Sequence, residues 1–109
     1  MNDPADAASS PPDQPSPPAD AVVRVLDIVN SKGLHARAAA QFVLTVEKFD
    51  AQVTVTRGHE TVGGTSIMGL LMLGASTGTA VTVTATGPEA TQVMAALEAL
   101  VADRFGEDE

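Results

Sequence analysis

The apolar positions of this 109-residue chain follow a period of two in some segments and a helical period in others. A β-branched run from Val22 to Val29 predicts a first strand. Gln52 to Arg57 and Ala80 to Thr86 each place apolar residues on one face and polar residues on the other, as half-buried strands do. Glu60 to Val62, after the turn at Gly58-His59, is a shorter candidate. The pattern therefore predicts four strands.

Three segments have a helical pattern instead. Ala36 to Lys48 predicts an amphipathic helix, whose expected buried face is Ala39, Phe42, Val43 and Val46. Ser66 to Leu73 predicts a short helix that Gly74 ends. The last helix is predicted to begin with Pro88 at its first position and Glu89 in its first turn, and to have Arg104 near its end. Its expected buried stripe is Val93, Ala96, Leu97, Leu100 and Val101.

The predicted order of elements is βαββαβα. Two-layer packing of such elements gives an α+β open-faced sandwich, in which three helices cover one face of a four-stranded antiparallel sheet. The foldable part, about 86 residues, would bury only roughly 60 to 65% of its unfolded surface, which is enough for one small domain.

The candidate chemistry lies where the first strand leads into the first helix. Gly33-Leu34-His35-Ala36-Arg37 places His35 where an N-cap belongs, beside first-turn N–H groups that can bind an anion. Ala36 and Arg37 are the expected backbone donors, and the guanidinium of Arg37 suits a phosphate clamp. Neutral imidazole can act as a nucleophile, so this arrangement predicts a phosphoryl group carried on His35. The alternative is an ordinary capping or surface histidine.

The same residues resemble the active-site motif of the HPr family, the histidine phosphocarriers of bacterial phosphotransferase systems. A second segment, from Ser66 to Gly74, resembles the regulatory serine of that family and the short helix after it. The resemblance covers roughly residues 21 to 106 and implies the sheet order 1-4-2-3. Ala38 departs from it, because the family usually has proline at that position.

The resemblance also implies roles for particular residues. It makes Nδ1 of His35 the phosphorylated atom and places Ile67, Met68 and Leu71 in the docking surface for partner proteins. Ser66 is expected to cap the short helix, and it is also the candidate for regulatory phosphorylation by an HPr serine kinase. His59, in a turn, is expected to be solvated.

Composition limits the other possibilities. The first twenty residues contain six of the seven prolines, so residues 1–20 are expected to be a disordered arm ahead of a domain at 21–106. Residues 107–109 are expected to be an acidic tail. Arm and tail carry most of the net charge of −8, and the domain between them has seven acidic and six basic residues. A surface so weakly charged and with three aromatic residues does not fit nucleic-acid binding.

Other classes of protein are disfavoured as well. No segment has the length and hydropathy of a transmembrane helix, and the chain has no cysteine, which fits a cytoplasmic protein. The chain lacks a glycine-rich phosphate loop with lysine and an acidic cluster for magnesium, so direct use of ATP is not expected. No metal or cofactor is expected, since the two histidines lie in separate elements.

The sequence therefore predicts a monomeric phosphocarrier rather than a stand-alone enzyme. By resemblance, it would take phosphate from enzyme I onto His35 and pass it to an EIIA-type protein. Two alternatives stay open: a regulatory module of the nitrogen-related branch of the family, and a binding module that has lost phosphate transfer.

Overall fold

The computed structural model describes residues 21–107, and the predicted arm at residues 1–20 and the end of the acidic tail, Asp108 and Glu109, lie outside the described residues. Four strands form one sheet: β1 (Val22–Asp27), β2 (Gln52–Arg57), β3 (Glu60–Gly63) and β4 (Ala80–Thr86). Three helices accompany them: α1 (Ala36–Glu47), α2 (Ile67–Met72) and α3 (Ala90–Ala102). A 3-10 turn at Arg104–Gly106 follows α3.

The sheet is antiparallel throughout, in the order β1-β4-β2-β3. This confirms the predicted open-faced α+β sandwich and the sheet order that the family resemblance implies. Because β4 is central, its apolar face meets both neighbours: Val83 lies opposite Arg24 of β1 and Val55 of β2. Alternation in β2 and β4 buries the predicted faces against the helices.

The core lies between the sheet and the helices and is almost entirely aliphatic, with two phenylalanines among its largest members. All four residues predicted for the buried face of α1 are buried, together with Ala38. The buried face of α3 consists of Ala90, Val93, Met94, Leu97 and Val101. The prediction missed Ala90 and Met94, and it included Ala96 and Leu100, which are only partly buried.

No helix of residues 21–107 has the length and apolar character needed to cross a membrane.

Two predicted boundaries were wrong. Strand β1 ends at Asp27 rather than Val29, because Ile28 bonds instead to the loop before β4, through Thr79 and Gly78, each at 2.8 Å. Helix α3 begins at Ala90, not Pro88. Glu89 is its N-cap, and a carboxylate oxygen of that residue accepts the N–H of Asp50 at 2.6 Å. This long-range contact joins the start of the helix to the segment before β2.

Candidate functional site

The loop from β1 to α1 is held in a fixed conformation by Gly33. This residue has φ +68°, and a Cβ atom there would lie 2.7 Å from the carbonyl oxygen of Ala75. The neighbouring Leu34 donates its N–H to that same oxygen at 2.8 Å. Glycine is therefore required by both the backbone angle and the close approach of the loop at Ala75.

His35 stands at the N-cap of α1, as the sequence predicts. Its backbone is extended, with φ −84° and ψ −178°, and its carbonyl accepts the N–H of Ala39 at 2.8 Å, which is the first hydrogen bond of the helix. The imidazole makes no capping bond. The N–H groups of the first turn, those of Ala36 and Arg37 included, thus lie at the positive end of the helix next to the ring.

A cleft of about 540 Å³ opens at this end of α1. His35 and Arg37 both line it, so the structure brings together the two residues for which the sequence predicts phosphate chemistry. Arg37 is exposed, and the His35 side chain is 28% exposed. Lys32, from the loop before α1, adds a second cation to the rim. A partly open cleft with two cations on its rim can accept an anionic group.

The cleft also contains residues that the sequence analysis did not assign to it: Ser31, Lys32, Gln41, Phe105, Gly106 and Glu107. The most important is Glu107, which was expected to belong to the acidic tail outside the domain. A carboxylate oxygen of Glu107 contacts Nε2 of His35. The hydrogen bond with His35 lowers the pKa of Glu107 from its ordinary value, although burial opposes that shift. His35 and Glu107 are 72 positions apart in the chain, so the local sequence gives no signal for this contact.

Asn30 was missed as well, and it is the only buried polar residue of the described chain. Its Nδ2 donates to the carbonyl oxygen of Gly33 at 2.8 Å and to Glu107 Oε1 at 3.1 Å. An asparagine that follows a β-branched run, three residues before a glycine, is a typical turn signal. Its link to Glu107 depends on the tertiary fold.

The second sequence motif forms α2. Ser66 is the N-cap and its Oγ accepts the N–H of Gly69 at 2.9 Å, which confirms the predicted cap. Ile67 and Met68 are 41% and 66% exposed, whereas Leu71 is partly buried against the core. Two further apolar side chains that the prediction did not include, Leu44 of α1 and Met72, are also exposed. Helices α1 and α2 pack against each other, and both expose apolar side chains on the helical layer.

His59 lies exposed in the β2–β3 turn and does not line the cleft at His35. The structure does not bring the two histidines into one site.

Comparisons with known proteins show the family to which the chain is related. Residues 22–103 match the family model described as PTS HPr component phosphorylation site. The chain is 45% identical to the phosphocarrier protein HPr of Cupriavidus necator over 82 residues, which cover 75% of this chain and 92% of that protein. It is 37% identical to the phosphocarrier protein NPr of Shewanella violacea over 84 residues, 77% of this chain and 92% of that protein.

A solved structure shows the same fold. The crystal structure of HPr-C-His from Thermoanaerobacter tengcongensis superposes with a TM-score of 0.77 at 39% sequence identity, and the match covers 81% of this chain and 99% of that one.

Proposed function

This chain belongs to the HPr family of phosphotransferase-system phosphocarriers, and from that membership we propose that it carries a phosphoryl group on His35. The observation that supports this most is the placement of one imidazole at the N-cap of α1, in a cleft that Arg37 and Lys32 also line. The proposed donor is enzyme I and the proposed acceptor is an EIIA-type protein. The proposal includes a cytoplasmic location and a monomeric carrier.

The physical chemistry of the site fits this role. A ring nitrogen of His35 would displace the donor histidine from phosphorus, and the three phosphoryl oxygens would then accept hydrogen bonds from Arg37 and from first-turn N–H groups. Exchange between two histidines changes the energy little, so positioning and charge stabilisation are sufficient for catalysis. Arg37 is expected to act as the clamp, because its planar fork can bind two oxygens at once.

The apolar surface of α1 and α2 is the proposed docking surface. Ile67, Met68 and Leu71 were the residues expected there, and the exposure of Leu44 and Met72 extends the surface. Methionine side chains adapt to differently shaped partners, which suits a carrier that must bind a donor and an acceptor in turn. Phosphorylation of Ser66 by an HPr serine kinase stays part of the proposal, since this exposed residue borders that surface.

A second candidate is a regulatory phosphocarrier whose phosphorylation state is a signal. The similarity to a relative with the separate name NPr supports it. The two candidates differ in the acceptor and not in the chemistry at His35, so an acceptor panel separates them.

The test is uptake of labelled phosphate from phosphoenolpyruvate and enzyme I, followed by acid treatment. The wild-type chain should take up acid-labile phosphate, and His35→Ala should take up none while keeping its fold. His59→Ala is the matched control and should be labelled like the wild type. Label of the wild-type amount on His35→Ala would contradict the assignment of the site.

A further inference from the structure

Helix α2 packs on the sheet with one fixed face. Leu70 is fully buried in the core, and a Cβ atom added at Gly69 would lie 3.0 Å from a side-chain carbon of β3. At the start of the helix, Ser66 Oγ accepts the N–H of Gly69 at 2.9 Å. At its end, Nη1 of Arg57 donates to the carbonyl oxygen of Leu73 at 3.1 Å. These contacts determine which residues of α2 face outward.

The outward face of α2 carries two methionines. Met68 and Met72 are 66% and 71% exposed, whereas Met94 of α3 is 2% exposed. Residues four apart on a helix lie on the same side, with Cβ atoms about 5–6 Å apart, so the two thioethers are neighbours. They lie on the surface proposed for docking, beside the exposed Ile67.

These thioethers are reactive toward peroxide. The chain has no cysteine, so methionine is its only sulfur-containing residue. A lone pair on Sδ forms a bond to one oxygen of hydrogen peroxide, and the O–O bond breaks. The hydroxide that leaves removes the proton from the transferred oxygen and departs as water. The sulfur is oxidised by two electrons, and the product, methionine sulfoxide, is polar.

We propose that Met68 and Met72 form an oxidation site at which hydrogen peroxide weakens partner docking, and this inference rests on the docking role proposed above. A sulfoxide oxygen on this surface has to lose its water when a partner covers it, and a surface complementary to apolar side chains offers few donors in return. Reduction reverses the change: two thiols form a disulfide, and the oxygen leaves as water.

The placement of the two residues separates docking from stability. A sulfoxide at Met94 would place a polar group in the core, whereas at Met68 and Met72 it stays in water while the protein is free. Oxidation of α2 should therefore change binding and leave the fold intact. It also leaves the cleft at His35 unaltered, since neither methionine lines that cleft.

The first measurement locates the added oxygen. The full chain is treated with graded hydrogen peroxide, digested, and its peptides are weighed by mass spectrometry. We expect Met68 and Met72 to be oxidised at least about tenfold faster than Met94, because susceptibility follows exposure. Circular dichroism of the oxidised protein should match that of the untreated protein.

The second measurement is the binding of enzyme I by calorimetry. The oxidised wild type should bind about tenfold more weakly than the untreated chain. Incubation with methionine sulfoxide reductases and a dithiol should restore its affinity. The matched control combines Met68→Leu with Met72→Leu, which keeps apolar side chains of similar volume without sulfur. Its affinity, compared with its own value before peroxide, should stay the same.

Three results would overturn the inference: oxidation of Met94 as fast as that of α2, unchanged binding when both exposed methionines carry oxygen, or an equal loss of affinity in the double variant. Each can occur while the untreated wild type takes up acid-labile phosphate, so each leaves the phosphocarrier function standing. An untreated wild type that neither binds enzyme I nor takes up phosphate contradicts the proposed function and, with it, this inference.

Discussion

At the scale of single residues, the site depends on a few positions where no other residue type fits. Gly33 is the clearest, since its left-handed backbone and its contact with Ala75 both exclude a side chain. The place of Gly33 in the motif indicated that this residue matters. The reason that glycine is needed there is a contact with residues more than forty positions away in the chain. Glu107 shows the opposite case, because nothing in its local sequence distinguished it from the acidic residues that follow.

Replacing Gly33 by alanine should destabilise the domain more than the same change at Gly58. Both glycines have positive φ, at +68° and +63°, so both variants carry a left-handed alanine that costs about 1–2 kcal/mol. Only at Gly33 does the new Cβ meet backbone atoms within 3 Å; at Gly58 nothing lies within 4 Å. We expect an additional loss of about 1–3 kcal/mol in the free energy of unfolding, measured by urea titration. Equal losses at the two positions would show that the loop at Ala75 can move aside.

At the scale of elements, alternation predicted β2 and β4 and helical periodicity predicted α1 and α3, because each of these has one face in water and one in the core. Strand β1 was predicted from a β-branched run, and β3 and α2 from short segments next to turns and glycines. The sequence could not place their ends with the same accuracy. Strand β1 stops early and α3 starts late where backbone or side chain bonds to a distant segment, as Glu89 does with Asp50. Boundaries of this kind are decided by tertiary contacts, whereas the faces of the elements are decided by local pattern.

Ser66→Asp tests the short helix as a docking element. Aspartate caps helices about as well as serine, so α2 should persist, while Ser66→Ala should cost about 0.5–2 kcal/mol of stability through loss of the bond to Gly69. The new carboxylate would border the exposed Ile67 and Met68, where a docked partner has to desolvate it. We therefore expect weaker apparent affinity for enzyme I with a smaller change in the maximal rate. Unchanged affinity in steady-state transfer kinetics would leave Ser66 as a cap without a part in docking.

At the scale of the whole molecule, the contact of Glu107 with His35 ties the segment after α3 to the loop after β1. Strand β1, the loop at Asn30 and helix α3 are thus linked through one carboxylate as well as through the core. The composition of residues 107–109 predicted only a charged tail. A long-range pair of this kind is visible only once β1, α3 and the turn at Arg104–Gly106 have their positions.

This link predicts how stability depends on pH. The pKa of Glu107 is lowered, first of all by the hydrogen bond with His35, with smaller contributions from Asn30 and from the charge of Lys32. A carboxyl group whose pKa is lower in the folded chain stabilises the fold fully above its unfolded value, and that contribution is lost as the pH falls through the folded pKa. Of the basic groups that line the cleft, His35 and Lys32 disfavour protonation of Glu107.

Glu107→Gln resembles the protonated side chain at every pH and so isolates this effect. The wild type should be more stable than the variant above pH 4.5, the ordinary value for glutamate, and the difference should shrink as the pH falls further. Urea unfolding midpoints at a series of pH values from about 6 to about 3 measure it, since that range brackets ordinary glutamate titration. Glu60→Gln is the control: its unfolding midpoints, compared with those of the wild type over the same pH series, show the effect of removing one negative charge elsewhere on the domain. A wild-type advantage that stays constant through the acid range would mean that Glu107 contributes by packing and not through its charge.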